Sequence, residues 1–252
     1  MRAFRTSHVK DGARVLDVGS SARPGTLSYR SLFSSCDYVG LDIAETGNVD
    51  FVPADPFAWT ELESESFDVV ISGQTFEHNP YFWITAAEIA RVLVPGGMVA
   101  LIAPSSGKPH RWPIDCWRFY PDSWAAICTY VGLDLVESYR EKKTRYMVMP
   151  GTYWRDAMMI AQKPAEIDYQ RLAAIVATRT DFPSAAPRSG TVVQTYERTH
   201  TLRTAELLSH PLHLLDSVVP HYRRWGPVSR IRQLSERHNT RVAVERGQSR
   251  GS

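Results

Sequence analysis

Four short apolar runs recur along residues 13–103, each bounded by polar or small residues. They are ARVLDVG (13–19), DYVGLDI (37–43), FDVVISG (67–73) and GMVALIA (97–103). The runs are rich in β-branched and aliphatic residues and show little alternation of apolar and polar positions. This pattern is typical of strands buried on both faces, as in a parallel sheet covered by helices.

Helical patterns lie between and after these runs. Residues 80–93 (PYFWITAAEIARVL) begin with Pro80 and stop before Pro-Gly-Gly, and residues 121–131 (PDSWAAICTYV) stop near Gly132. Residues 133–140 and 152–162 predict two late strands. The alternation of strands and helices predicts a doubly wound α/β fold.

The pattern changes after Lys163-Pro164. We therefore expect a main domain over 1–164, a helical extension over 165–222 and a flexible basic tail over 223–252, with a linker at 181–191. The tail carries eight Arg against two Glu. The extension is also a candidate surface for a homodimer.

Composition narrows the class of protein. The chain is 43% hydrophobic with a formal net charge of +2, which is typical of a globular protein and does not favour polyanion binding. No apolar run reaches the roughly 18 residues of a membrane span, and the first residues lack the apolar core of a secretory signal. The three cysteines, Cys36, Cys116 and Cys128, lack metal-site spacing, so we expect reduced thiols and a cytoplasmic location.

The first apolar run ends in a loop that suggests a nucleoside site. Asp17 and Gly19 close the run, and Asp42 ends the next run 23 residues after Gly19. An acid at this spacing lies where a carboxylate binds the hydroxyls of a ribose. The loop lacks the further glycines of a pyrophosphate site, so it favours a nucleoside without phosphates over NAD or FAD. The alternative is that these acids only cap turns.

In this order, the motifs resemble those of class I S-adenosylmethionine-dependent methyltransferases of the type 11 kind. The stretches that carry the resemblance are VLDVGSS, VGLDI, VPADPF, FDVVISGQTFEHNPYFW and, most specifically, EIARVLVPGGMVALIAP. The resemblance covers residues 10–163 and implies a Rossmann-like sheet of seven mostly parallel strands. It departs at Ser21 and Arg23, which occupy positions where the family has glycine.

The resemblance also implies S-adenosylmethionine as cofactor and a set of residues around it. Asp42 would bind the ribose, and Asp55 would lie beside the adenine. The full expected set is Asp17, Gly19, Ser20, Ser21, Asp42, Ile43, Asp55, Pro56, Ser72, Gly73, Gln74 and His78.

The segment 104–124 interleaves aromatic, basic and acidic residues. Aromatic faces beside hydrogen-bonding groups suit a sugar or another polar ring, and H-R-W-P-x-D-x-W-R-F-x-P resembles a pattern of methyltransferases from bacterial polysaccharide and glycosylated-metabolite clusters. The alternative is an aromatic lid packed on the core. The expected substrate-binding residues are Tyr81, Trp83, Arg111, Trp112, Trp117 and Arg118.

Methylation of a hydroxyl needs a proton acceptor. The candidates are His110, Asp115 and His78, with Glu77 beside His78, and the alternative for Asp115 is that it pairs with Arg111 or Arg118. We expect these groups near the carboxyl ends of the strands.

A divalent metal is a second possibility for the same region. Residues 74–78 (QTFEH) are similar to the E-x-x-E-H motif of metal-dependent small-RNA 2′-O-methyltransferases, with Glu77 and His78 as candidate ligands. Gln74 stands where that motif has its first acid, which lowers the charge of the site. The sequence therefore favours a reaction without metal.

The leading hypothesis is O-methylation of a sugar hydroxyl in a glycan, glycolipid or glycosylated metabolite. One alternative is a nucleic-acid (RNA ribose) methyltransferase, favoured by the Arg-rich tail and disfavoured by the small net charge. Another is a catalytically inactive binding protein with a methyltransferase fold, for which the glycine-poor first loop is the argument.

Overall fold

Six strands form a single sheet in the part of the chain that the structure describes. The structure is a computed structural model, and it describes residues 1–22, 28–141 and 154–181. These residues belong to the first of two units, 1–188 and 189–252. The basic tail, nearly all of the linker and most of the helical extension expected from the sequence lie outside the described residues.

The bounds of the elements follow the sequence pattern closely. The strands are β1 (Arg14–Val18), β2 (Asp37–Leu41), β3 (Phe67–Gly73), β4 (Leu93–Pro104), β5 (Asp134–Arg140) and β6 (Asp156–Gln162). The α-helices are α1 (Arg2–His8), α2 (Phe82–Val92), α3 (Pro121–Val131) and α4 (Tyr169–Ala177). Short 3-10 helices occupy Tyr29–Phe33, Phe76–His78 and Thr178–Asp181.

The strand order is β2-β1-β3-β4-β6-β5. The pairs among β2, β1, β3 and β4 are parallel, and β6 is antiparallel to both of its neighbours. This arrangement confirms the expected Rossmann-like, mostly parallel α/β fold. Because four neighbouring strands run in one direction, the loops that follow them meet at one edge of the sheet.

The described residues form six strands, where the resemblance implies seven. Phe51 makes an isolated parallel bridge to Leu41, on the side of β2 away from β1. Its N–H donates to the Gly40 carbonyl oxygen at 3.0 Å. Pro53, two residues later, has no N–H to continue the ladder, which explains why this segment stops at one bridge.

The core lies on both faces of the sheet because alternate residues of the central strands point to opposite sides. Leu16 and Val70 pack in the cluster that includes α2, α3 and α4. Val15 and Ile71 pack in the other cluster, with α1 and the 3-10 helix Tyr29–Phe33. No helix in the described ranges is long and apolar enough to span a membrane.

The boundary between α2 and β4 differs from the prediction. The strand begins at Leu93 and includes the Pro-Gly-Gly turn, which was expected to precede it. Phe67 of β3 pairs with Leu93 and Val69 pairs with Met98, so the turn is an irregularity within the strand. Lys163 stabilises this junction, since its buried Nζ donates to the Leu93 carbonyl oxygen at 2.6 Å.

Candidate active site

The loop after β1 is tied to the end of β2 by main-chain hydrogen bonds. The N–H groups of Gly19 and Ser20 both donate to the Leu41 carbonyl oxygen, at 2.8 and 3.0 Å. The Ser21 N–H donates to Oδ2 of Asp42 at 2.9 Å, and the Ile43 N–H donates to Oδ1 at 2.7 Å. The structure therefore brings together the first loop and the acid that the sequence predicts as a ribose ligand.

Asp42 keeps the capacity to bind a further polar group. Its side chain lies at the carboxyl end of β2, half-buried, beside the exposed Ile43. An ionised carboxylate has about four lone-pair sites, and two of them face the N–H groups of Ser21 and Ile43. The remaining sites suit a pair of adjacent hydroxyls.

Gly19 is required by both its backbone and its surroundings. Its φ of 78° lies in the left-handed region, and a Cβ there would lie 2.0 Å from Oγ1 of Thr75. The next residue, Ser20, is buried, and its carbonyl oxygen accepts from Nδ2 of Asn48 at 2.7 Å. The departure from the family pattern at Arg23 lies outside the described residues.

Asp17 lies inside the sheet rather than in the loop. It is the fourth residue of β1, and the Tyr38 hydroxyl donates a hydrogen bond to its Oδ2. Burial raises the pKa of Asp17 to about 7, although the Tyr38 hydroxyl and Arg30 oppose the shift. Asp17 is thus a carboxyl group that titrates near neutral pH, behind the first loop.

The residues expected near the adenine include one strong ion pair. Oδ2 of Asp55 accepts from Nε of Arg179 at 2.7 Å, and Pro56 beside it is exposed. Burial opposes ionisation of Asp55, but the Arg179 guanidinium holds the pKa of that carboxyl below its ordinary value. The sequence did not predict Arg179, which lies 124 residues away in the chain.

The end of β3 is fastened to its neighbours. Oγ of the buried Ser72 donates to the Val18 carbonyl oxygen at 2.7 Å. A Cβ on Gly73 would lie 2.4 Å from the Tyr29 hydroxyl. Gln74 has a φ of 59°, a left-handed conformation that is uncommon for a residue with a side chain and often marks a functional loop.

A buried carboxylate lies between two histidines just after β3. Glu77 is 0% exposed, and its Oε1 lies 3.7 Å from Nε2 of His78 and 3.8 Å from Nε2 of His110. Neither carboxylate oxygen accepts a hydrogen bond from another described residue. Burial raises the pKa of Glu77 to about 8, with a smaller contribution from Asp115. We call these three residues the Glu77 cluster.

The orientation of His78 follows from one contact. Its Nδ1 lies 2.5 Å from the Ile114 carbonyl oxygen, and a carbonyl only accepts, so Nδ1 carries the proton. Burial lowers the pKa of His78. The neutral ring then presents an unprotonated Nε2 towards Glu77.

His110 is positioned by its own loop. Its backbone N–H donates to Oδ2 of Asp115 at 2.7 Å, and its Nδ1 lies 3.3 Å from the same oxygen. Asp115 is in turn held by the Arg118 guanidinium, with Nη1–Oδ1 2.6 Å and Nη2–Oδ2 2.7 Å. The Trp154 ring packs against the imidazole with centroids 4.2 Å apart.

Of the sequence's two readings of Asp115, the structure shows the pairing with Arg118. Burial opposes ionisation, but Arg118 and the His110 N–H hold the pKa of Asp115 below its ordinary value. A carboxylate engaged on both oxygens is a weak proton acceptor, and its side chain is 2% exposed. Asp115 is therefore suited to positioning His110.

Three of the aromatic residues expected to bind substrate form one group. Tyr81 and Trp83 meet edge to face with centroids 5.8 Å apart, and Trp83 and Trp117 do so at 6.4 Å. Trp117 is anchored by its indole N–H, which donates to the Asn79 carbonyl oxygen at 3.0 Å.

The other aromatic residues of the 104–124 segment divide between surface and core. Trp112 is 57% exposed and follows the exposed Arg111. Phe119 and Trp124 are buried and stack with centroids 4.5 Å apart. The lid interpretation thus holds for Phe119 and Trp124, which are part of the core.

Two residues at this edge were missed by sequence reasoning. Asp156 begins β6, pairs with Pro104 at the end of β4, and accepts a hydrogen bond from Gln74. Burial raises its pKa. Trp154, just before it, packs on His110. Because β6 is antiparallel, its beginning lies at the edge where the parallel strands end.

A family model and two curated relatives that are similar to parts of this chain are all methyltransferases. Residues 16–101 match the methyltransferase domain family. Phthiotriol/phenolphthiotriol dimycocerosates methyltransferase of Mycobacterium leprae (strain TN) is 31% identical over 121 residues, which are 41% of this chain and 43% of that protein. Phthiotriol/phenolphthiotriol dimycocerosates methyltransferase 1 of Mycobacterium ulcerans (strain Agy99) is 34% identical over 107 residues, 36% of this chain and 38% of that protein. The chain thus spans less than half the length of these curated relatives.

A solved structure shares the fold. The Burkholderia thailandensis 1,6-didemethyltoxoflavin-N1-methyltransferase, solved with 1,6-didemethyltoxoflavin and S-adenosylhomocysteine, aligns with a TM-score of 0.50. The alignment covers 65% of this chain and 76% of that chain at 21% identity. This likeness concerns the fold alone.

Proposed function

We propose that this chain is an S-adenosylmethionine-dependent methyltransferase. The observation that carries the proposal is the hydrogen bond from the Ser21 N–H to the Asp42 carboxylate at 2.9 Å, which holds the first loop beside the acid expected to bind a ribose. The match of residues 16–101 to the methyltransferase domain family supports it. Asp42 would hold the ribose hydroxyls, and the glycine-poor first loop suits a nucleoside without phosphates.

The finer proposal is that the methyl group goes to a sugar hydroxyl. The Tyr81, Trp83 and Trp117 group offers aromatic faces on which the C–H face of a sugar ring can stack. The Glu77 cluster offers imidazole and carboxylate groups that can engage a hydroxyl. The named substrates of the curated relatives are phthiotriol and phenolphthiotriol dimycocerosates, whereas the sugar acceptor proposed for this chain follows from its aromatic group and the Glu77 cluster.

Different groups in the site would have different roles in such a reaction. S-adenosylmethionine supplies a methyl group activated on a sulfonium sulfur. The site must align the acceptor oxygen with that methyl group and exclude water. The Glu77 cluster activates the acceptor hydroxyl and helps to remove its proton. His110 is its most accessible member, with a side chain 34% exposed.

The test is transfer of labelled methyl from S-adenosylmethionine to a panel of oligosaccharides, glycolipids and RNA oligonucleotides. We expect label in a carbohydrate, and none in RNA. His110→Ala should lower kcat by about 100-fold and change the Kd for S-adenosylhomocysteine by less than about threefold, because it lies outside the nucleoside site. His8→Ala, an exposed histidine on α1, is the matched control.

Other outcomes separate the two parts of the proposal. Label in RNA alone would refute the sugar acceptor and favour the nucleic-acid alternative. A His110→Ala variant with full turnover would remove the Glu77 cluster from the chemistry.

A further inference from the structure

We propose that Glu77, His78 and His110 form a binding site for a divalent transition-metal ion of the Zn²⁺ or Co²⁺ type. The site follows from the geometry of the cluster. Its use in catalysis, to bind the acceptor hydroxyl, rests on the proposed function.

The spacing of the three side chains fits a small ion. One ligand atom from each residue lies within 4.8 Å of the other two. Oε1 of Glu77 is 3.7 Å from Nε2 of His78 and 3.8 Å from Nε2 of His110. Metal–ligand bonds of about 2.0–2.2 Å separate neighbouring ligands of a tetrahedral ion by roughly 3.3–3.6 Å. Small side-chain rotations bring the set to that spacing.

The carboxylate of Glu77 lacks another partner. It is 0% exposed, and among the described residues no other group donates a hydrogen bond to either oxygen. Arg118 is paired with Asp115. Burying an unpaired carboxylate is costly, and such groups are found paired or coordinated to metals. A cation between Glu77 and the imidazoles would satisfy this requirement.

His78 has the outer hydrogen bond of a metal ligand, and the second ring nitrogen of His110 lies beside a carboxylate. Metal-bound histidine almost always directs its second ring nitrogen at a carbonyl or carboxylate, which fixes the ring. Nδ1 of His78 donates to the Ile114 carbonyl oxygen at 2.5 Å. Nδ1 of His110 lies 3.3 Å from Oδ2 of Asp115 without forming a hydrogen bond to a described residue, and Arg118 fixes that carboxylate. Both Nε2 atoms lie near Oε1 of Glu77, at 3.7 Å for His78 and 3.8 Å for His110.

The ligand set indicates which ion. Two imidazoles and one carboxylate form the protein ligands of many catalytic zinc sites, which leave a position open. Mg²⁺ prefers oxygen ligands in an octahedron. The sequence disfavours a metal because Gln74 replaces an acid, but the structure brings a third candidate ligand, His110, to the cluster from another loop, 33 residues after Glu77.

The open position suits the acceptor oxygen. A hydroxyl bound to the ion loses its proton to water more readily. Its oxygen then forms the new C–O bond with the methyl carbon as the C–S bond breaks and its electron pair stays on sulfur. With the ion bound, His110 acts as a metal ligand through Nε2, and water takes the proton of the acceptor hydroxyl.

The test is titration of the chelator-treated full-length chain with Co²⁺, followed by visible absorption and competition with Zn²⁺. We expect one equivalent bound at the cluster with the absorption of a four- or five-coordinate ion, and at least tenfold weaker binding in Glu77→Gln, His78→Ala and His110→Ala. The matched controls are His8→Ala and Glu137→Gln, both exposed. Thermal melts of each variant without metal check the fold, and Glu77→Gln should melt close to the wild type because the amide has nearly the same shape as the buried carboxyl group.

Two results would overturn the inference. One is equal Co²⁺ binding by the wild type and the three cluster variants, which would place the ion elsewhere. The other is no binding by a folded wild type. S-adenosylhomocysteine affinity is measured on the same samples with chelator, so its loss would count against the proposed function and not against the metal site.

Discussion

At the residue scale, Gly19 is a position of the first loop where a side chain would be poorly tolerated. A Cβ there would collide with Thr75 and also force a side chain into a left-handed backbone. Gly12 is a matched comparison, since its φ is 76° and a Cβ added to it would have no other atom within 4 Å. Comparing substitutions at the two glycines therefore separates the cost of backbone strain from the cost of steric overlap.

We therefore predict different losses of stability for the two alanine variants. Gly12→Ala should lower the free energy of unfolding by about 1–2 kcal/mol, the cost of the left-handed backbone. Gly19→Ala should lower it by about 2–5 kcal/mol, because overpacking adds to that cost. Urea denaturation of both variants measures the difference. Equal losses would mean that Thr75 moves away freely.

Asp17 makes stability depend on pH. Burial raises its pKa to about 7 in the folded chain, from an ordinary value of 3.8. Between these values the folded chain binds more protons than the unfolded chain, so this group's contribution to stability falls as pH rises. Asp17→Asn removes the effect.

The expected result is a Tm advantage of Asp17→Asn over the wild type that grows from about pH 5 to about pH 8. Asp122→Asn, an exposed acid on α3, is the control. A difference in Tm that stays constant across this range would show that Asp17 ionises normally.

Residue-level reasoning from sequence was effective where a motif is local. Asp42, Glu77 and His78 follow strands directly, so their shared edge could be predicted from the order of apolar runs. Tyr38 and Arg179 could not, because Tyr38 reaches Asp17 from the neighbouring strand and Arg179 reaches Asp55 from 124 residues away in the chain. His110 was predicted as a base, but its distance from Glu77 is set by the fold of a long loop.

At the element scale, the strands and helices were predictable because their periodicity is strong. The helix expected at 121–131 is observed as Pro121–Val131. The antiparallel direction of β6 and its insertion between β4 and β5 are tertiary features that apolar pattern does not encode. Trp154 and Asp156 were missed for that reason.

A substitution in helix α4 tests whether the chain beyond Lys163 contributes to the core. Leu172 is 1% exposed and lies in the cluster that includes α2. Leu172→Ala should lower the free energy of unfolding by about 2–5 kcal/mol. Leu135→Ala on the edge strand β5, where the leucine is exposed, should cost less than about 1 kcal/mol. Chemical denaturation of both variants measures this, and a Leu172→Ala variant as stable as the wild type would show that α4 contributes little to the fold.

At the scale of the whole molecule, the parallel sheet places two groups of candidate site residues along one edge. The ends of β1 and β2 form the proposed nucleoside site around Asp42, and the ends of β3 and β4 lead into the Glu77 cluster. Oγ of Ser72 links the two halves through the Val18 carbonyl oxygen. One ligand at each half would bring a methyl donor and an acceptor together.

The measurement that tests this account most directly is calorimetric titration of the full-length chain with S-adenosylhomocysteine. We predict micromolar binding by the wild type and at least tenfold weaker binding by Asp42→Ala, because the variant loses the carboxylate proposed to bind the ribose. Asp37→Ala, at the opposite end of β2, should bind as the wild type does. Absence of binding by the wild type, or equal binding by Asp42→Ala, would contradict the nucleoside site on which the proposed function depends.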